Sequence, residues 1–231
     1  MAGCPGIHAV IMVPDGIAEA KINAARSYGA EVIVGGDLNR VEEMMEKAFA
    51  LAAEKNLAPV HPFDDPLIIA GQGTIGLEIL EDLPDVDVVV VPVGGGGLLS
   101  GVATALKLSK PSVTVFGIGP KGASSMDRSF REKKLVTLSD MPETISDGIR
   151  TPLVGENTLQ QTLEYVDDVT TVSDDDIIDA IRLVWSRLKL VVEPAGAASF
   201  AAVNSGRLAF PDDSRVVWYA FSVVATWTST R

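Results

Sequence analysis

Residues 87–107 read DVVVVPVGGGGLLSGVATALK, a run of valines that ends in four consecutive glycines and passes at once into a helical pattern. Valine at this density marks a strand buried on both faces, as in a parallel sheet. Glycine is poor in strand and helix interiors, so four together answer a backbone need. A tight strand-to-helix turn is one such need, and one or two glycines serve it. A row of bare N–H groups at a helix N-terminus, where an anionic group sits, is the other, and it uses all four.

Three kinds of phosphate site can be tested against this segment. A Walker-type loop requires Gly-x4-Gly-Lys-Ser/Thr. Gly96 and Gly101 have the spacing, but Val102 and Ala103 follow them, so that loop is excluded. A dinucleotide fingerprint is met in form by GQGTIG at 71–76. That fingerprint also needs an acid at the end of the next strand to hold a ribose. Asp85 and Asp87 instead precede the valine strand, which ends at Pro92-Val93, so the fingerprint is incomplete. A monophosphate needs only one helix N-terminus with converging amides, and residues 94–98 supply it.

Composition narrows the surroundings. The chain has 231 residues, 47% of them hydrophobic, enough for one large domain or two modest ones. No stretch reaches the length of a membrane span, and the first ten residues lack a basic leader region. The single cysteine, Cys4, excludes an internal disulfide framework and suits a reducing, cytoplasmic setting. A net charge of −12 opposes nucleic acid and anionic membranes as partners. A bound phosphate must then be held mostly by backbone dipoles.

The elements that position the glycines alternate between strand and helix. HAVIMV (8–13) reads as a strand, 17–29 as a helix closed by Gly29, and AEVIVGG (30–36) as the next strand. Residues 39–56 form an amphipathic helix in which Met44 and Met45 pack. A short strand LIIA and a helix from Thr74 to about Leu83 lead to the valine strand, and SVTVFGIGP (112–120) is another strand. Residues 167–206 give a short strand and two helices. Ser173 and Asp176 have the spacing of a capping box, so Asp174–Asp176 is helix-start chemistry rather than a metal site. The alternation predicts an α/β fold with mainly parallel sheets flanked by helices.

With these stretches in hand, the chain resembles the serine/threonine dehydratase and serine racemase family, fold type II pyridoxal phosphate enzymes of the tryptophan-synthase-β-like group. The resemblance rests on VIMVPDGIAEAKINAARSYGAEV, HPFDDP, GQGTIGLEI, VVPVGGGGLLSG, ETISDGI and LVVEPAGAA, in family order from near residue 7 to about residue 217. It implies pyridoxal phosphate as cofactor, with Gly94, Gly95, Gly96, Gly97 and the Leu98 amide on its phosphate. Asp147 and Gly148 of SDGI and Glu193 of EPAGA match positions lining the cofactor cavity; a structural loop role serves them equally well. The implied reaction is dehydration and deamination of L-threonine or L-serine to a 2-keto acid and ammonia. Racemisation, or elimination from another β-hydroxy amino acid, is the alternative within the family. The implied organisation is residues 1–57 in a small domain and 58–217 in a large, cofactor-binding one, in a homo-oligomer.

The chain also departs from the family. The Schiff-base lysine belongs to a Ser-Phe-Lys-x-Arg-Gly segment that matches nothing here, and Lys21, Lys47, Lys55, Lys107, Lys110, Lys121, Lys133, Lys134 and Lys189 stand in other contexts. No catalytic residue is therefore assigned, and the fold type II architecture is expected to be incomplete, lacking its N-terminal third. An inactive remnant, or one half of a split enzyme complemented by an N-terminal fragment, is the reading from a different class. The isolated chain is expected to bind pyridoxal phosphate weakly and without a covalent link, and to aggregate or depend on a partner. A cation site found in some members uses carboxylates where Gly119 and Ser125 stand, and Asp127 alone does not restore it, so no metal is expected. His8 and His61 read as structural histidines.

The ending, RVVWYAFSVVATWTSTR (215–231), stops matching after Val217. Family members end a final strand in Ser-Gly-Gly-Asn, whose serine binds the pyridine nitrogen. Codons read one base earlier permit Ser-Gly-Gly-Asn-Val-Asp-Leu-Asp across Ser222 to Thr230, with Trp218-Tyr219 fixing a valine and Trp227-Thr228 an aspartate. The expectation is a frameshifted tail, residues 218–231, that makes a poor final strand and places no side chain on the cofactor nitrogen. A divergent β-rich terminus is the plainer alternative.

Overall fold

The computed structural model describes residues 7–36, 40–139 and 142–219, and the chain divides into two compact units between Val60 and His61. In the first unit, strand β1 (Val10–Val13) is followed by helix α1 (Glu19–Ser27), strand β2 (Glu31–Val34) and helix α2 (Val41–Glu54). The strands run parallel, Val10 opposite Glu31 through Val13 opposite Val34. Gly29 follows α1 at φ +88°, the left-handed turn that ends a helix cheaply only when glycine supplies it. Neither α1 nor α2 buries a side chain.

The second unit holds the core. Helix α3 (Pro66–Asp82) leads to strand β3 (Val88–Pro92), helix α4 (Gly97–Ser109), strand β4 (Thr114–Pro120), helix α5 (Ser125–Glu132), helix α6 (Glu156–Tyr165), strand β5 (Asp168–Val172), helix α7 (Asp174–Leu183), helix α8 (Pro194–Asn204) and strand β6 (Val216–Trp218). Its sheet has the order β5-β4-β3-β6, with every pair parallel. Strand β3 lies inside the sheet, and all five of its residues are buried, as the valine run requires. One hydrophobic cluster gathers Val89, Val91, Leu99, Val102 and Leu106. A second, built on Val88 and Val90, packs against the alanines of α8.

One expectation needs correction. The stretch LIIA is the start of α3 rather than a strand, and the helix does not wait for Thr74. Asp65 caps it, its Oδ1 accepting the Leu67 N–H at 2.7 Å and the Ile68 N–H at 3.3 Å, while Pro66 takes the first helical position, where a missing N–H costs nothing. Of the expected aberrant tail, residues 218–231, the described residues are Trp218 and Tyr219, and Trp218 closes strand β6. Trp218 pairs with Val90 in register, the Tyr219 N–H donates to the Val90 carbonyl at 3.0 Å, and Ser199 Oγ donates to the Tyr219 carbonyl at 2.7 Å. The Trp218 ring finds Phe200 at 4.8 Å, so its apolar surface favours the strand whatever its origin. Cys4 and the tail from residue 220 onward lie outside the described residues. The Ser173–Asp176 capping box forms: Ser173 Oγ accepts the Asp176 N–H at 3.2 Å, and Asp176 Oδ2 accepts the Ser173 N–H at 3.0 Å. The Ser173 hydroxyl also donates to Asp176 Oδ2 at 2.7 Å, and this bond first, with the Ser173 N–H and Arg207, holds the Asp176 carboxyl below the usual carboxylate range. Among the described residues, no helix is long and apolar enough to cross a membrane.

Candidate cofactor-phosphate site

Strand β3 delivers the chain to the glycines. Its last ladder bond runs from the Val93 N–H to the Ile118 carbonyl at 2.8 Å. Gly96 then takes φ +100°, a left-handed conformation open to glycine at little cost, and α4 starts at the next residue. The first N–H groups of a helix have no partner within it, and no side chain caps this one. Among the described residues, no hydrogen bond takes the N–H of Gly95, Gly96, Gly97 or Leu98. The carbonyls beside them are secured. Thr158 Oγ1 donates to the Gly95 carbonyl at 2.8 Å, and Ser100 Oγ to the Gly96 carbonyl at 2.7 Å. Donors left open and acceptors tied back make a turn that attracts anions, and the positive end of the α4 dipole adds to it.

The neighbours leave no room for side chains. A Cβ built on Gly94 would stand 2.9 Å from Ile149 Cα, one on Gly96 2.8 Å from Thr158 Cβ, and one on Gly97 3.0 Å from Phe63 Cβ; one on Gly95 would overlap the Phe63 ring. The contact with Ile149 brings in the turn at Asp147–Ile149. A Cβ on Gly148 would in turn lie 3.1 Å from Ala195 Cβ and 3.6 Å from Glu193 Oε1. Gly94, the Asp147–Ile149 turn and the start of α8 therefore form one neighbourhood, and the sequence-predicted residues share it. Asp147 and Gly148 are exposed, and Glu193 is half-buried.

The other candidates are placed elsewhere or satisfied. GQGTIG lies wholly inside α3, whose glycines pack on α4: a Cβ on Gly76 would meet the Val102 carbonyl at 2.9 Å, and one on Gly73 the Gly101 carbonyl at 3.2 Å. Gly119 is buried in β4, and Ser125 is buried at the start of α5 with its hydroxyl on the Thr151 carbonyl at 3.1 Å. Among the described residues, no group of three or more His, Cys, Asp or Glu could hold a metal ion. His8 is exposed and lies 3.5 Å from Glu31. His61 Nδ1 accepts the N–H groups of Phe63 at 3.2 Å and Asp64 at 2.7 Å, a structural role. Several lysines are committed to other groups: Lys55 to Glu31, Lys107 to Asp167, Lys134 to Glu132, and Lys110 to the Pro84 and Val86 carbonyls.

Sequence reasoning missed Phe63, Asp64, Met126 and Thr158 as neighbours of the glycines. HPFDDP carried a signal, since two acids between an aromatic and a proline are helix-start chemistry. Thr158 carried none.

The model of a family described as pyridoxal-phosphate dependent enzyme matches residues 1–220. An L-threonine ammonia-lyase of Thermotoga maritima is 44% identical over 198 residues, 86% of this chain and 49% of that protein. A catabolic L-threonine dehydratase of Staphylococcus aureus is 42% identical over 204 residues, 88% of this chain and 58% of that protein. The chain thus spans about half the length of these curated relatives. Among solved structures, a threonine deaminase of T.th. matches with a TM-score of 0.82 at 40% identity, over 91% of this chain and 68% of that one. A serine racemase of Dictyostelium discoideum matches with 0.82 at 32% identity, over 94% and 69%.

Proposed function

The chain belongs to the pyridoxal-phosphate dependent enzymes, and we propose that Gly94–Leu98 hold the cofactor's phosphate in an enzyme that converts L-threonine or L-serine to a 2-keto acid and ammonia. The observation that carries the site assignment is the start of α4, where the N–H groups stand open while the carbonyls of Gly95 and Gly96 are tied to Thr158 and Ser100. A phosphate fits such a cradle without a positive side chain in the loop. Asp147, Gly148 and Glu193 line the same cavity in this proposal. When bound, pyridoxal phosphate supplies an electron sink for loss of the substrate's α-proton. The protein's part at this site is to fix the phosphate end, so that the ring is presented in one orientation. The substrate class rests on the two curated relatives, both named for L-threonine.

The coding region, carried with its native flanking DNA into a host lacking threonine deaminase activity, tests the proposal. Extracts given pyridoxal phosphate and L-threonine or L-serine should release 2-keto acid and ammonia in equal amounts. The similarity to serine racemases supports a second reading. Formation of the D-amino acid without keto acid would establish that one instead. Homo-oligomerisation belongs to the same proposal, and light scattering on the purified product measures it.

A further inference from the structure

The glycines do not shape themselves, because a four-glycine turn has the widest conformational freedom a chain can have. What fixes them comes from two distant segments. The first is the turn at 61–65. His61 Nδ1 accepts two successive N–H groups, from Phe63 and Asp64, and its ring meets the Phe63 ring edge-on at 4.9 Å. The turn so formed sets Phe63 against the places where Gly95 and Gly97 would carry a Cβ. It also aims Asp64 at the start of α6. There Oδ2 accepts the Glu156 N–H and Oδ1 the Thr158 N–H, each at 3.1 Å. Gly155, ahead of that helix, has no side chain with which to cap it, and a Cβ there would collide with the Asp64 carboxyl. An aspartate about ninety positions away in sequence therefore does the work of an N-cap.

The second segment is that capped turn. Thr158 is fully buried, and its hydroxyl accepts the Gly155 N–H at 3.0 Å and donates to the Gly95 carbonyl at 2.8 Å. We propose that Asp64 and Thr158 are the positioning residues of the phosphate cradle: Asp64 fixes the first turn of α6, and Thr158 turns the Gly95 carbonyl inward, so that the N–H groups of Gly95–Leu98 converge outward. Neither side chain is assigned a contact with the ligand. The inference rests on the reading that residues 94–98 bind the cofactor phosphate.

The test uses deoxypyridoxine phosphate, which carries the cofactor's phosphate but no aldehyde to react with lysines, together with unphosphorylated deoxypyridoxine. Calorimetry gives both dissociation constants for the wild-type chain, Thr158→Val, Thr158→Ser and Asp64→Ala. Loss of the buried Thr158–Gly95 hydrogen bond predicts phosphate-ligand affinity about tenfold weaker in Thr158→Val, and loss of the two Asp64 bonds to the first turn of α6 predicts a fall of about the same size in Asp64→Ala. Thr158→Ser, which keeps the hydroxyl, should restore it, and affinity for the unphosphorylated compound should not follow the same pattern. A purely structural role would move both ligands together, or leave serine no better than valine, and either result overturns the proposal. Unchanged phosphate-ligand affinity in Thr158→Val and Asp64→Ala overturns it while leaving the cradle in place. Failure of the wild-type chain to prefer the phosphorylated compound removes the cradle, and the proposal with it. If Thr158→Val does not fold, as judged by its melting curve, the Asp64→Ala result decides.

Discussion

Gly73 and Gly76 in α3 and Gly95, Gly96 and Gly97 at the start of α4 are all held where a side chain would collide with its neighbours, yet they serve different ends. In α3 the glycines let two helices approach until a Cβ on Gly76 would touch the Val102 carbonyl of α4. They sit mid-helix, where each N–H is consumed by the ladder. At the start of α4, the glycines sit at the one point of the helix where N–H groups have no internal acceptor. Glycine spacing alone does not distinguish these cases; the fate of the N–H groups does. GQGTIG satisfies a nucleotide fingerprint letter for letter and has no donor to offer, whereas GGGGL satisfies none and offers several.

Substitutions can break this comparison from either side. Gly76→Leu forces a side chain into the α3–α4 contact and should cost about 3 kcal/mol, read from urea unfolding, while the folded fraction keeps its phosphate affinity. Gly96→Ala imposes a left-handed conformation and crowds Met126 and Thr158, at about 2 kcal/mol, and here phosphate affinity should fall as well. The adjacent aspartates sharpen the contrast. Asp65→Ala removes the α3 cap and should cost about 1 kcal/mol, with faster amide exchange at Leu67 and Ile68 and no change in phosphate binding.

The smallest effect is a pH dependence. Burial lowers the pKa of His61 against the opposing pull of Asp64 and Asp65. A group whose pKa is depressed by folding contributes stability above its unfolded value and loses it as pH falls through the folded one. The His61 turn should therefore weaken below about pH 6.5, because protonation replaces the acceptor that two N–H groups share. Comparing wild type with His61→Asn from neutral to mildly acidic pH should show a stability loss on acidification that the variant lacks.

How much of this is readable in advance follows from where each cause lies in the chain. The valine strand, the Gly29 terminus and the Ser173–Asp176 box are local, and their signals are complete within a few residues. LIIA misleads because a short apolar run fits a buried strand and a helix start equally, and the deciding signal lies just ahead, in Asp65 and Pro66. The four glycines carry the proposed anion site's signal in their own backbone needs. Their supports do not, since Asp64, Thr158 and Gly95 meet only through the fold, and an aspartate or a threonine in a loop has many ordinary uses. The strand through Trp218 illustrates the same limit, since its pairing with Val90 depends on a partner 128 residues away at its start, where the Arg215 N–H meets Asp87.

The amide spectrum of the isotopically labelled chain, titrated with deoxypyridoxine phosphate, tests the central claim most directly. The account predicts that the resonances of Gly95, Gly96, Gly97 and Leu98 move with saturation while those of Gly71, Gly73 and Gly76 stay in place. Movement at 71–76 with a silent 95–98, or no movement at either, would contradict it.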